Sequence, residues 1–600
     1  MKSLKNLLFA LLSGAAMAVP FLGVNSSWAR HLGWIPFFAI APLAWVLLCA
    51  PLSAEKWVRA RHSFFLGWIA GVVFFETTLF WISSVAWEGV ALLPPFLALY
   101  FGFWALFVVM VVRRFFKTDL NRGISSWRSL GAIFLSAAAW VGMEWLRGTL
   151  FTGFGWNSFG VSFYQHISLF QFVDITGVAG LSFLGVMTGC MTAIAFQRIF
   201  QQKTMEPLTR IFHPSLLRKP GTPMAAALDL NFYQDSMDSY SPDKNPASAL
   251  PHQPSRLSRR ESDEISGLTK SPLQFHGDIS LVLLLVVAAL IYGIKTLSAP
   301  VQPQEPLSVG AVQGNIPQNH KWDRVFEEEI MTVYEKETRL ALQGHPDLVV
   351  WPEAATPRPL LNDEKIFTQV CQLLQRGHAD LLAGSLYYEE HPQRDYNAAI
   401  LLSPKKEAQV YAKMHLVPFG EYIPFRKTFP LFQWIVGDRV LGDFDAGLEP
   451  KVLRLSTKPI GIAPLICFED TLGDLVRRFA LRRAQLLITL TNDGWFGHTV
   501  ASRQHAMNAL FRAAETKLPL LRVANTGVTC VIDRYGRMTQ VLRDDDGNTF
   551  LEGVLLSELS IPRNPKPTFY TKHGDWFSFL CLGLMGIAIL FNLVWRKKLF

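Results

Sequence analysis

Long apolar runs separated by short polar joints occupy the first 200 residues, after which the pattern changes. Runs near 7–24, 33–50, 63–83, 91–112, 129–146, 177–197, 279–297 and 574–595 each approach the roughly 20 residues that an α-helix needs to cross a bilayer. A bundle of about eight membrane helices is expected. The first run also fits a cleaved signal peptide, with a basic start, a short apolar stretch and Ala16-Met17-Ala18. Between 305 and 560 the pattern becomes short β-rich runs, at 307–313, 347–352, 380–386, 397–403, 408–413, 459–467, 485–491, 519–525 and 528–533. Helical periodicity falls between them, near 322–343, 364–377, 470–483 and 502–517. Continuously apolar strands alternating with helices predict a sheet covered by helices.

Residues 202–277 fit neither pattern. They are rich in Ser, Pro, Asp and Arg, lack apolar periodicity and read as a disordered cytoplasmic loop. The expected division is membrane helices one to six over 1–201, the loop over 202–277, helix seven over 278–298, a globular domain over 299–572, and helix eight with a tail over 573–600.

Composition agrees with a membrane chain. Half the residues are hydrophobic, 18% are charged and mean hydropathy is +0.22, whereas soluble chains carry about 25% charged residues. The net charge of +9 is distributed as topology requires. Lys2 and Lys5, then Lys56, Arg59 and Arg61, then Arg113, Arg114, Lys117 and Arg122 fall on alternate joints, and Arg596, Lys597 and Lys598 join the same side. The positive-inside rule then puts both termini in the cytoplasm and residues 298–573 outside. No basic stripe interleaved with aromatics tracks a nucleic-acid backbone, which argues against that partner. Of six cysteines, Cys49, Cys190 and Cys581 lie in apolar runs; Cys371, Cys467 and Cys530 are scattered through the polar domain. With no C-x-x-C pair and no metal-ligand spacing, neither a disulfide scaffold nor a metal site is expected.

Three apolar runs end in a reactive side chain. DLVVW leads to Glu353 in WPEAATP, AQVYA to Lys413 in YAKMHLVPFGEYIP, and GIAPLI to Cys467 in ICFED. By itself each has a bland reading: a buried cysteine, a helix N-terminal carboxylate, a surface lysine. Converging at the strand ends of a layered fold, they form a complete acyl-transfer kit. The carboxylate takes the thiol proton, the thiolate attacks, and the ammonium stabilises the oxyanion. In the membrane half, Glu144 and Arg147, three apart on a helix, are placed to pair; Glu76 has no obvious partner.

The order Glu, Lys, Cys in these motifs resembles the triad of the nitrilase superfamily, and TNDGWFG at 491–497 and RAAETKLPLLRVANTG at 512–527 extend the likeness. That resemblance implies an α-β-β-α sandwich. A nitrilase-like domain hung between the seventh and eighth membrane helices resembles one family in particular, the bacterial apolipoprotein N-acyltransferases. EWLRG at 144–148 and TGFGWNSFG at 152–160 carry the likeness into the bundle; the 202–277 insert is longer than the family's usual loop. The resemblance implies Glu353 as general base, Lys413 as oxyanion stabiliser and Cys467 as nucleophile, with Glu421 and Glu469 as supporting acids and Trp322 and Trp495 near the entering lipid. It further implies a phospholipid acyl donor, diacylglyceryl-modified apolipoproteins as acceptors, no cofactor, and an inner-membrane enzyme whose catalytic domain faces the periplasm. A thiol near its ordinary pKa of about 8.5 would let a Glu353→Gln variant recover partly as pH rises. Two rivals stand beside this reading: a membrane-tethered amidase, and a transporter or receptor with an inactive exported domain. A tether needs only one helix, and the bundle carries few ionisable groups for an ion pathway.

Overall fold

The computed structural model describes residues 2–23, 31–116, 126–211, 277–300, 303–424 and 443–597. Among them, seven helical spans are long and apolar enough to cross a membrane: Leu4–Leu22, Lys56–Ser84, Trp87–Phe116, Ser126–Thr152, Ala179–Ile199, Gly277–Leu297 and Trp576–Val594.

The expected run at 33–50 departs from a continuous helix. It forms a 3-10 turn at Ile35–Phe37 and a separate helix at Ala41–Leu48, because Pro36 and Pro42 lack the N–H that would carry one helix through. The segment still joins opposite ends of the bundle. The Gly33 carbonyl meets His166 Nε2 at 2.7 Å at one end, and Arg113 Nη1 donates to the Leu47 and Ala50 carbonyls at the other. Irregular backbone is tolerated at membrane depth where protein surrounds it, and Leu43, Ala44, Val46, Leu47 and Leu48 are fully buried. The first helix, Lys2–Leu22, packs as a member of the bundle. Ala10, Met17, Ala18 and Phe21 are buried in its core, and Ser13 Oγ accepts the Leu43 N–H at 2.9 Å.

Helix Ala179–Ile211 runs past its membrane span, so residues 202–211, expected to open the loop, are helical; the rest of that loop, through residue 276, lies outside the described residues.

Among the described residues the polar half holds two six-stranded sheets. One contains β1 (Gln304–Gln313), β2 (Leu348–Trp351), β3 (Asp380–Glu390), β4 (Gln393–Leu402) and β5 (Ala408–Ala412). The other contains β6 (Leu453–Arg454), β7 (Gly461–Ile466), β8 (Leu486–Thr491), β9 (Leu520–Ala524), β10 (Cys530–Ile532) and β11 (Met538–Val541). The last strand, β12 (Gly553–Pro562), returns to pair antiparallel with β1 at the edge of the first sheet. Side-chain alternation sorts residues into two cores. Leu348 and Val350 of β2 pack toward the second sheet, in a core that includes Leu465, Leu486 and Leu520. Val349 and Trp351 pack outward with Ile330, Tyr334, Ile366 and Val370 on helices Glu327–Gln343 and Glu364–Gly377. Helices Gly473–Leu481 and Ala501–Thr516 cover the second sheet, completing an α-β-β-α sandwich.

The sandwich plugs into the bundle through Gln504. Its Nε2 donates to the carbonyls of Phe21 and Thr78 at 3.2 and 3.1 Å. Its Oε1 accepts from Trp81 Nε1, Trp156 Nε1 and Asn157 Nδ2 at 3.3, 3.0 and 3.3 Å. The expected pairing of Glu144 with Arg147 gives way to a different arrangement. Glu144 accepts the Phe159 N–H at 2.7 Å, and Arg147 donates to the Trp156 carbonyl at 2.8 Å and toward Ser158 Oγ. A backbone loop inside the bundle offers both side chains unsatisfied groups whose neglect would cost more than a solvent-style ion pair returns.

Candidate active site

Strands β2 and β5 run the same way in the first sheet: β2 is parallel to β3, and β3, β4 and β5 alternate in direction. Their carboxyl ends therefore share a rim. Glu353 follows β2, Lys413 follows β5, and Cys467 follows β7 of the facing sheet. Lys413 Nζ lies 2.9 Å from Glu421 Oε1 and 3.5 Å from Glu353 Oε1. Asn397 Nδ2, on β4, donates to both carboxylates at 2.8 Å. Burial pulls the Lys413 ammonium down, but the charges of Glu421 and Glu353 pull the other way, so its pKa moves up and it stays charged. Glu353 Oε2 is buried and has no hydrogen-bond partner among the described residues. The β2 end can reach this position because β3 carries glycine beneath it: a Cβ on Gly384 would lie 2.3 Å from the Pro352 carbonyl oxygen and 2.6 Å from Glu353 Cα.

Cys467 opens a 3-10 turn, Cys467–Thr471, with φ of +52°, a conformation that costs a non-glycine residue about 1–3 kcal/mol. Glu469 braces the turn. Its carboxylate accepts N–H bonds from Ile466 (2.8 Å), Met414 (2.8 Å) and His415 (3.2 Å) and the Tyr411 hydroxyl (2.9 Å). One buried side chain thereby ties the nucleophile turn to the loop bearing Lys413. Burial pushes Glu469 up to about 7, against the pull of the Ile466 N–H and of Lys413.

The thiol departs from expectation. Burial, then the Glu353 charge, raise the Cys467 pKa well above the ordinary thiol range, while Lys413 and the Thr491 hydroxyl pull it back only in part. The resting sulfur is protonated, so its proton must leave during the attack, and alkaline recovery of a Glu353→Gln variant moves to higher pH than an ordinary thiol would allow. Cys371 and Cys530 are also buried and their thiols raised, Cys530 to about 12.

Trp322 and Trp495 are 39% and 46% exposed. Trp322 lies on the loop before the helix expected to include it, next to Lys321. Trp495 lies in the 3-10 turn Asp493–Phe496, whose Phe496 packs edge-on against Trp81 of the bundle at 4.5 Å.

Several neighbours were not foreseen. Lys321 is buried and donates to the carbonyls of Glu353 and Ala354, both at 2.9 Å; burial brings it down to about 7, against the pull of Glu353. Behind Cys467 sits a sealed charge cluster. Arg522 bridges Asp470 (2.9 Å) and Asp493 (2.8 Å). His505 lies 2.9 Å from Asp470 and 3.1 Å from Asp493, and its Nε2 contacts the Cys467 carbonyl at 3.2 Å. Trp156 of the bundle lies parallel to Phe468, centroids 6.2 Å apart, and 5.1 Å from the His505 ring. Asp470, Asp493 and Arg522 were visible inside ICFED, TNDGWFG and RAAETKLPLLRVANTG, but nothing local paired them, and His505 stood in none of these motifs.

Residues 12–191 match the apolipoprotein N-acyltransferase N-terminal domain and residues 308–560 match carbon-nitrogen hydrolase. An apolipoprotein N-acyltransferase of Geobacter metallireducens is 31% identical over 99% of this chain and 96% of its own length. The chain belongs to the apolipoprotein N-acyltransferase family. A family member from Rhodopseudomonas palustris is 27% identical across 98% of this chain and 95% of its own. Among solved structures, XC1258 from Xanthomonas campestris, a CN-hydrolase superfamily protein, covers 43% of this chain and 91% of its own at 18% identity and a TM-score of 0.32. Membership in the apolipoprotein N-acyltransferases makes the chain a membrane acyltransferase and sets aside the transporter or receptor reading.

Proposed function

We propose that the protein moves an acyl chain from a membrane phospholipid, through a thioester on Cys467, to the α-amine of the diacylglyceryl-modified N-terminal cysteine of apolipoproteins. The observation that carries this is the buried Glu353–Lys413–Cys467 cluster on a sandwich seated directly on a helix bundle. A bundle lets an acyl chain enter sideways from lipid, avoiding extraction into water at about 0.8 kcal/mol per CH₂.

In the first half-reaction Glu353 Oε2 takes the thiol proton as sulfur attacks the ester carbonyl carbon. The Lys413 ammonium holds the oxyanion, the carbon–oxygen bond breaks, and Glu353 returns the proton to the leaving lysophospholipid oxygen. In the second, the acceptor amine attacks the thioester, the carbon–sulfur bond breaks and an amide remains. No cofactor is consumed, because the thioester conserves the reactivity of the acyl group. Glu421 and Asn397 hold Lys413 and Glu353 in register, Glu469 holds the nucleophile turn, and Trp322 and Trp495 flank the lipid approach. The protein works in the bacterial inner membrane with the sandwich in the periplasm.

Mass spectrometry after incubation with phosphatidylethanolamine is expected to find an acyl adduct on the Cys467 peptide, discharged by a diacylated lipopeptide to give N-acylated product. Discharge to free fatty acid, with the lipopeptide unchanged, would instead identify an amidase-type hydrolase.

A further inference from the structure

A cavity of about 460 Å³ opens beside the triad where the sandwich meets the end of the Ser126–Thr152 span. Its wall includes Thr152 of the bundle and His415, Tyr422, Asp443 and Asp445 of the sandwich. One lining residue reaches toward the nucleophile turn: the half-buried His415 ring lies 6.0 Å from that of Phe468, the residue after Cys467, at an interplanar angle of 25°. The His415 ring faces the Thr152 carbonyl, and as a neutral imidazole it keeps one nitrogen lone pair.

Resting on the acyl-transfer reading above, we infer that this cavity seats the primary ammonium of the acceptor, and that His415 removes the proton which that ammonium must lose before it can attack the thioester.

The proton balance calls for such a group. An α-amine with a pKa of about 7.7–8.0 arrives at neutral pH mainly as –NH₃⁺. One N–H proton must go before the nitrogen has a lone pair, and a second as the amide forms. Glu353, ionised once it has handed its proton to the departing alcohol, takes the second and returns it to the Cys467 thiolate. The first passes to the His415 imidazole and from there to water. The groups facing His415 suit this task. Burial, then the neighbouring Lys413 ammonium, lower its pKa, against the opposing pull of Glu421 and the Thr152 carbonyl, so the imidazole is neutral at pH 7 and can accept a proton. Asp443 and Asp445 place carboxylates on the same wall for the incoming cation, and Tyr422 bonds to Thr152. The position fits as well. A lipid-anchored amine sits at the bilayer surface, and the cavity lies at the end of a membrane span.

The two half-reactions of the full-length protein separate this inference from the reading beneath it. In His415→Gln, single-turnover thioester formation from phosphatidylethanolamine is expected to match the parent protein, which also shows that the variant is folded. Transfer to a synthetic diacylated lipopeptide at pH 7 is expected to fall up to about tenfold, the shortage of free amine that a pKa of about 7.7–8.0 sets, and to recover as pH rises past about 8, where the amine deprotonates unaided. Unchanged transfer, an equal loss in both half-reactions, or a deficit that alkali does not repair would overturn the assignment. Asp445→Asn is expected to raise the lipopeptide KM severalfold with kcat retained, and an unchanged KM would remove the ammonium seat. Failure of the parent protein to form any thioester would refute the acyl-transfer reading itself.

Discussion

Two buried charge clusters flank Cys467, and they differ in balance and access. On the open side, Glu353 and Glu421 share one firmly charged partner, Lys413, with Lys321 only a partial counterweight near pH 7. That cluster adjoins a cavity and leaves Glu353 Oε2 unpartnered. On the sealed side, Asp470 and Asp493 meet Arg522 and His505 two against two, all without solvent exposure. An excess of carboxylate beside a protonated thiol can take up a proton; a neutral, closed set can only hold shape. The first cluster is built to change protonation state during a turnover and the second to keep the Cys467 backbone still while that happens.

Removing the sulfur is expected to have the largest effect. Cys467→Ala should abolish the acyl adduct completely, while Cys371→Ala and Cys530→Ala keep it, as mass spectrometry of the three variants would show; an adduct surviving in Cys467→Ala would move the nucleophile elsewhere. Next come the two arms of the open cluster. Glu353→Gln should slow single-turnover acylation by about 10²–10⁴ and Lys413→Met by about 10²–10³. The distinguishing mark is pH: Glu353→Gln should regain rate only in strong alkali, where the buried thiol at last ionises, and Lys413→Met should regain less. A Lys413→Met variant rescued as fully as Glu353→Gln would contradict these roles.

The sealed cluster should respond in stability. Arg522→Met leaves two buried carboxylates short of a partner and should cost about 3–5 kcal/mol, read as a lowered unfolding temperature in detergent. Equal thermal stability would break the contrast. A smaller effect follows from His505. Burial and the Arg522 charge lower its pKa, but Asp470 and Asp493 together outweigh them, and the folded value lies above the ordinary one. Its stabilisation is therefore complete below the unfolded pKa of about 6.5 and is lost as pH rises through the folded value. Unfolding temperature should decline over that alkaline interval, and His505→Gln should flatten the decline.

The open cluster was the more legible of the two. Glu353, Lys413 and Cys467 each end an apolar run, and a strand end is a local signal. Asn397 lies within a strand, Lys321 in a loop, and Arg522 and His505 on elements that meet Asp470 only after both sheets have packed, so no spacing announces them. Strands followed the same rule. β7, β8 and β9 are continuous apolar runs buried on both faces and were plain. β12 is an edge strand with alternate residues exposed, and β6 is only two residues long; neither was anticipated. In the bundle, hydropathy found the run at 33–50, but its prolines decided the shape, and Glu144 and Arg147 chose backbone partners 9 to 15 residues away over each other.

The Gln504 amide bears on the order in which the chain is made. Its partners Phe21, Thr78, Trp81, Trp156 and Asn157 lie 483 to 347 positions earlier. During synthesis they leave the ribosome long before the residue that will satisfy them. Until then the half-built bundle must keep a polar recess open, sheltered by water, lipid headgroups or a chaperone. The sandwich closes that recess only when its last long helix, Ala501–Thr516, is complete, so biogenesis ends with a docking event that no chain ending before Gln504 can perform.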